Sequence, residues 1–135
     1  MYKNILELIQ HVKAEAVQAR AKLDRLKGEV KELVERNNVF SLPSKSTELL
    51  LATKEWVWLR ELSGELLSLY EDGGEDVTVE DGLVIINSYL SPVTKYGENS
   101  VIADEIELLL LKQEANLAMA LAHRFHTTTL LKLVA

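Results

Sequence analysis

Apolar residues recur along the start of the chain at Tyr2, Ile5, Ile9, Val12, Ala16, Ala19, Leu23, Leu26, Val30 and Leu33, in steps that alternate strictly between three and four. This is the heptad spacing of a helix that packs lengthwise on a partner helix. It predicts one helix over 2–36. Asn37 takes the next seam position, Asn38 follows, and SLPS with Pro43 ends the run. At about 1.5 Å per residue the helix would be roughly 50 Å long. A compact globule of this size is only roughly 28–30 Å across, so the spacing predicts an elongated bundle or a projecting helix.

A second helix is expected over 46–71, with Ser46, Thr47 and Glu48 as its N-terminal cap. Its seam runs through Leu49, Ala52, Trp56, Leu59, Ser63, Leu66 and Tyr70, and another apolar line runs through Leu51, Trp58, Leu62 and Leu69. The tryptophans of KEWVWLRE therefore fall about 200° apart on the helix. The seam assigns Trp56 to the intramolecular core. The other line assigns Trp58 to either the C-terminal helix or another subunit. Gly73 and Gly74 then end the helix in an acidic loop, EDGGED.

Residues 77–91, VTVEDGLVIINSYLS, admit two readings. VTV and LVII around EDG suit a β-hairpin over 77–86. Thr78 followed by Asp81 instead suits a helix cap, an aspartate variant of the capping box, with Val79, Leu83, Ile86 and Leu90 on one face. The helix over 78–91, stopped at Ser91-Pro92, is the reading adopted. The last helix is expected over 100–126, with Asp104 and Glu105 in its first turn, where the helix dipole favours acids. Its middle, ANLAMALA, is apolar on every side but for Asn116, which predicts a helix surrounded by neighbours. The terminus LLKLVA is too apolar for a frayed tail, so Leu130, Leu131 and Leu133 join Leu51, Trp58, Leu62 and Leu69 as candidate interface residues. The fold class is all-α, one domain of about four helices.

Composition changes this picture little. A chain of 135 residues, 47% hydrophobic and 27% charged, is globular in character. With no cysteine there is no disulfide framework or thiolate metal site. No signal peptide or membrane-spanning run is recognisable, and an intracellular particle or cytoplasmic setting is expected.

Charge changes it more. Residues 1–37 carry eight Lys/Arg against six Asp/Glu, although the chain as a whole has a net charge of −6. On the first helix Lys13, Arg20 and Lys27 share one heptad position beside the seam, and Lys3 and Lys31 share the adjacent one, where Asp24 interrupts. Such a row either covers the seam with its aliphatic stems or follows a phosphate backbone. Aromatic interleaving is missing from it, which favours duplex over single strands.

No motif orders a nucleophile and base, and no glycine-rich phosphate loop is present. His123 and His126 lack the Glu-x-x-His partners of di-iron bundles, and EDGGEDVTVED does not follow calcium-loop spacing. No enzyme activity, cofactor, metal or small-molecule substrate is expected. The surplus apolar surface points to a structural protein that self-associates through amphipathic helices. A coat subunit that packages duplex nucleic acid is the alternative, and an adaptor docking through its first helix is the third.

Overall fold

The computed structural model describes residues 2–99 and 105–127, and the side chains of 2–93 and 109–127. Four helices follow one another: α1 (Ile5–Glu35), α2 (Leu42–Gly73), α3 (Val79–Asn99) and α4 (Glu105–Arg124), with a 3₁₀ turn at Gly74–Asp76 between α2 and α3. No strand occurs among the described residues, so the hairpin reading of 77–86 is set aside.

Each boundary has a local cause. Asn4 caps α1, its side-chain oxygen accepting from the Glu7 N–H at 3.0 Å, while the Glu7 carboxylate accepts from the Lys3 N–H at 2.7 Å. At the other end Asn37 adopts φ 56°, and the N–H groups of Asn37 and Asn38 return to the carbonyls of Val34 and Leu33. That pair of bonds is the Schellman ending, so the asparagines close the helix by geometry as well as polarity. α2 begins four residues earlier than expected, because Pro43 sits in the first turn, where no N–H is needed. Thr47 is consequently inside the helix, donating to the Pro43 carbonyl at 3.1 Å. Thr78 and Asp81 exchange the two hydrogen bonds of a capping box, at 3.0 and 3.1 Å.

Pro92 does not stop α3, which runs on to Asn99. A proline inside a helix costs roughly 3 kcal/mol. α4 is the main neighbour of α3, and Leu90 and Val93, on either side of Pro92, both join the main core, which sets packing against that loss.

α1 and α2 form a long antiparallel hairpin, and α3 and α4 pack on it. The main core joins Ile5, Leu8, Ile9 and Val12 of α1, Trp58, Leu59, Leu62 and Leu66 of α2, Ile86 and Leu90 of α3, and Ala118, Leu121, Ala122 and Phe125 of α4. Gly82 lets α3 approach closely: a Cβ there would lie 2.7 Å from both Ile5 Cδ1 and Leu8 Cδ2. A smaller cluster, Leu23, Leu26 and Ala52, continues between α1 and α2 alone.

Two expectations about packing are corrected. Trp56, assigned to the core, is only half-buried. Trp58, 8% exposed, and Leu62 belong instead to the protomer's own core with residues of the C-terminal helix, the first of the two settings expected for Trp58. α2 touches α1 on one side and α3 and α4 on another, so both of its apolar lines face inward over their middle. ANLAMALA is not surrounded either: Ala115, Ala118, Leu121 and Ala122 are buried, and Asn116, Met119 and Ala120 are exposed. Its alanines mark one close contact face.

Candidate interaction surfaces

The hairpin thins towards its turn. Between Leu26 and Ala52 no residue is buried, although both strands of the hairpin are helical for most of that length. Val30, Leu33, Leu42, Leu49 and Leu51 are half-buried, Val34 is 58% exposed, Val39 63% and Phe40 95%. Residues 27–51 therefore form an arm with apolar side chains and no core. Lys45 of α2 crosses to Glu29 of α1 at 2.9 Å. That hydrogen bond holds the Glu29 carboxyl below its ordinary range and the Lys45 ammonium above its own. An exposed pair of this kind contributes little to stability, and it does not replace a core.

Lys13, Arg20, Lys27 and Lys31 of the expected stripe lie on α1 and are exposed, whereas Lys3 precedes the Asn4 cap and is exposed outside the helix. Arg20 is engaged: its Nε lies 3.3 Å from Asp24, and its guanidinium sits 4.7 Å from the Trp56 ring centre. The side chains of Lys3, Lys13, Lys27 and Lys31 make no ion pair among the described residues. Arg60 of α2, a residue outside the stripe in sequence, lies 4.4 Å from the same indole. Lys13, Ala16, Val17, Arg20, Trp56, Arg60 and Ser63 line a groove of about 430 Å³ between α1 and α2. It has an apolar floor, a cationic rim and no acid in its lining. Trp56 is thus covered by cations, each held over the ring by its quadrupole.

On the other side of α2 a groove of about 660 Å³ is lined by Glu61, Gly64, Glu65, Ser68, Leu69 and Ile85. Glu61 and Glu65 are exposed and make no ion pair among the described residues. Of the candidate interface line, Leu69 lies here, Leu51 lies on the arm, and Trp58 and Leu62 are inside the core. Leu130, Leu131 and Leu133 lie outside the described residues.

No known protein family, curated protein or solved structure matches this chain.

A polar network closes the opposite side of the bundle. The Tyr2 hydroxyl lies 2.6 Å from His11 Nδ1, His11 Nε2 lies 3.4 Å from Glu15, and Arg124 reaches Glu15 at 3.3 Å and the buried Glu55 at 3.0 Å. Burial, and then the Glu15 charge, push the Tyr2 hydroxyl up to about 12. His11 also meets Phe125 edge to face, with ring centres 4.9 Å apart. The network ties the end of α4 to α1 and α2. His11 is half-buried within it, beneath Phe125 at the end of α4. Among the described residues no three His, Cys, Asp or Glu side chains gather as a metal site, and no helix is long and apolar enough to cross a membrane.

Sequence reasoning missed Arg60, Glu61, Glu65 and Ile85. Trp56–Arg60 and Glu61–Glu65 each have the four-residue spacing of one helix face, a readable signal. Which of these faces lies beside Lys13 and Arg20 depends on the register of α1 against α2, and no spacing within one helix encodes that.

Proposed function

We propose that this chain is a non-enzymatic assembly protein that self-associates through its helices, with the α1–α2 arm as a docking element. The observation that carries this reading is the absence of any buried residue between Leu26 and Ala52, in two helical stretches and the turn joining them, with Val34, Val39 and Phe40 exposed. Helical stability in proteins comes chiefly from packing an apolar face, and contiguous exposed apolar surface marks sites of association. Partner helices supply what this arm lacks.

The test is the mass of the particle in solution, followed by light scattering across protein concentration. The wild type should associate at micromolar concentration, on the order of a standard protein interface. Val34→Asp/Phe40→Asp should reduce the mean mass at equal concentration while leaving the helical content and urea midpoint nearly unchanged, because both side chains are exposed in the protomer. A wild type that stays monomeric at about 100 µM, or an unchanged mass in the double variant, would refute the reading.

One observation favours a second reading, a subunit that packages duplex nucleic acid. Lys13, Lys27 and Lys31 stand exposed along one flank of α1 with no ion pair among the described residues. Binding through phosphates must weaken steeply with salt, with a log–log slope of about −0.9 per contact. Changing Lys13, Lys27 and Lys31 to glutamine should make that slope shallower by roughly two to three units and weaken binding to all sequences alike. Absence of salt-sensitive binding by both the protomer and the assembly would leave the assembly reading alone.

A further inference from the structure

The two grooves beside α2 are opposite in charge and similar in make-up, and apart from Arg20, which pairs with Asp24, their charged side chains make no ion pair among the described residues. The α1–α2 groove sets Lys13, Arg20 and Arg60 around Val17 and Trp56. The α2–α3 groove sets Glu61 and Glu65 around Leu69 and Ile85. Arg60 and Glu61 are neighbours in sequence, yet neither they nor Lys13 and Glu65 form an ion pair among the described residues. Lys13 and Arg60 line the basic groove and Glu61 and Glu65 the acidic one; the two grooves flank one exposed face of α2, made by Arg60, Glu61, Gly64, Glu65 and Ser68. Val17, at the rim of the basic groove, is 70% exposed. Gly64 and Ser68, in the acidic groove, are small, and a Cβ added at Gly64 would meet nothing within 4 Å. The face therefore offers room for close approach by another surface.

We propose that a second copy of this chain covers this face, its acidic groove meeting the basic groove of the first copy, and the reverse. The inference rests on the reading that the chain self-associates, and adds the surface and the partner. Charge decides the occupant. A protein with net charge −6 that carries one cationic groove without acids brings the complementary anion in every other copy of itself. A pair related by a two-fold axis makes the contact twice, since an isologous interface joins patch i to j and j to i. Apolar floors ringed by complementary charge are the anatomy of a specific interface, in which the charges set register and partner choice.

The experiment is a charge swap. Lys13→Glu/Arg60→Glu reverses one groove and Glu61→Arg/Glu65→Arg reverses the other; all four residues are exposed, and circular dichroism checks the fold. Dissociation constants are measured by sedimentation in wild type and in the Val34→Asp/Phe40→Asp background, so that contacts through the arm and through the grooves are read separately. Each reversal alone should weaken association by about tenfold or more, and added salt should weaken the wild type in the same direction. An equimolar mixture of the two reversed chains should restore affinity to near the wild-type value, because each altered groove then faces its complement. Association that both reversals leave intact would overturn the groove contact while the assembly reading stands. Loss in both reversals without rescue in the mixture would overturn the reciprocal pairing. A monomeric wild type would remove the assembly reading and the groove contact together.

Discussion

Replacing Gly82 with alanine isolates how closely α3 sits on the hairpin. A Cβ at this position would lie 2.7 Å from Ile5 Cδ1, 2.7 Å from Leu8 Cδ2 and 3.3 Å from Leu66 Cδ2. Ordinary contact begins at 3.4 Å, so two methyl groups must each retreat by 0.7 Å, and Ile5 and Leu8 are themselves buried, at 3% and 0% exposure. Overpacking of this size costs roughly 1–3 kcal/mol. Alanine also gains about 1 kcal/mol of helix propensity over glycine inside a helix. The net expectation is a loss of about 1 kcal/mol. The same change at Gly28 or Gly64, where a Cβ meets nothing within 4 Å, keeps the propensity gain and has no opposing term, so it should stabilise by up to about 1 kcal/mol. Urea unfolding of the protomer, read by circular dichroism with the slope held common, gives the three values. The decisive quantity is the sign. If Gly82→Ala stabilises as much as Gly28→Ala and Gly64→Ala, then α3 does not rest on Ile5 and Leu8 and the described packing is wrong.

Trp58→Ala should cost about 3–5 kcal/mol as a core truncation, while Trp56→Ala, in a half-buried position under Arg20 and Arg60, should cost well under half as much by urea unfolding. Equal losses would show that the two rings share one environment. For Tyr2, the hydroxyl holds its proton up to about 12 in the fold against 10.0 unfolded. Between those values the unfolded chain ionises first, so stability falls as pH rises through that window and is unaffected below it. Tyr2→Phe should flatten that alkaline decline in urea midpoints taken from about pH 9 to 11.5, and an equally steep decline in the variant would exclude Tyr2 as a source.

The helical fold was legible because its signals are local. The strict heptads of α1, the Thr78–Asp81 box and the Asn37-Asn38 ending each act within a few residues, and the structure uses all three. What was not legible depends on neighbours. Pro92 reads as a stop, yet Leu90 and Val93 on either side of it pack into the main core. Trp58 reads equally as facing the C-terminal helix or another subunit, and only the fold, with α2 touching α1, α3 and α4, puts it in the protomer's core. The basic stripe was readable as far as α1 extends. Its continuation onto Arg60, and the placing of Trp56 between the two sets of cations, required knowing which face of α2 meets α1. The acidic groove likewise combines Glu61 and Glu65 with Ile85, twenty positions further on, and only the fold brings them together.

The coreless arm also has a consequence for dynamics. Its two helical stretches, 27–35 and 42–51, are each shorter than the 12–15 residues or so at which an isolated helix becomes even marginal in water. They are helical because they extend helices already nucleated in the body, where adding a residue needs no new nucleus. Such an arm melts from its tip inward, one turn at a time, without unfolding anything below Leu26 and Ala52. Amide hydrogen exchange should therefore show a gradient, fastest around Asn37–Leu42 and slowing smoothly towards the body, in place of one protected block. Whatever covers Val34, Val39 and Phe40 pins the free end of that zipper. Its binding should appear first as lost exchange at the tip, before any amide in the four-helix core responds.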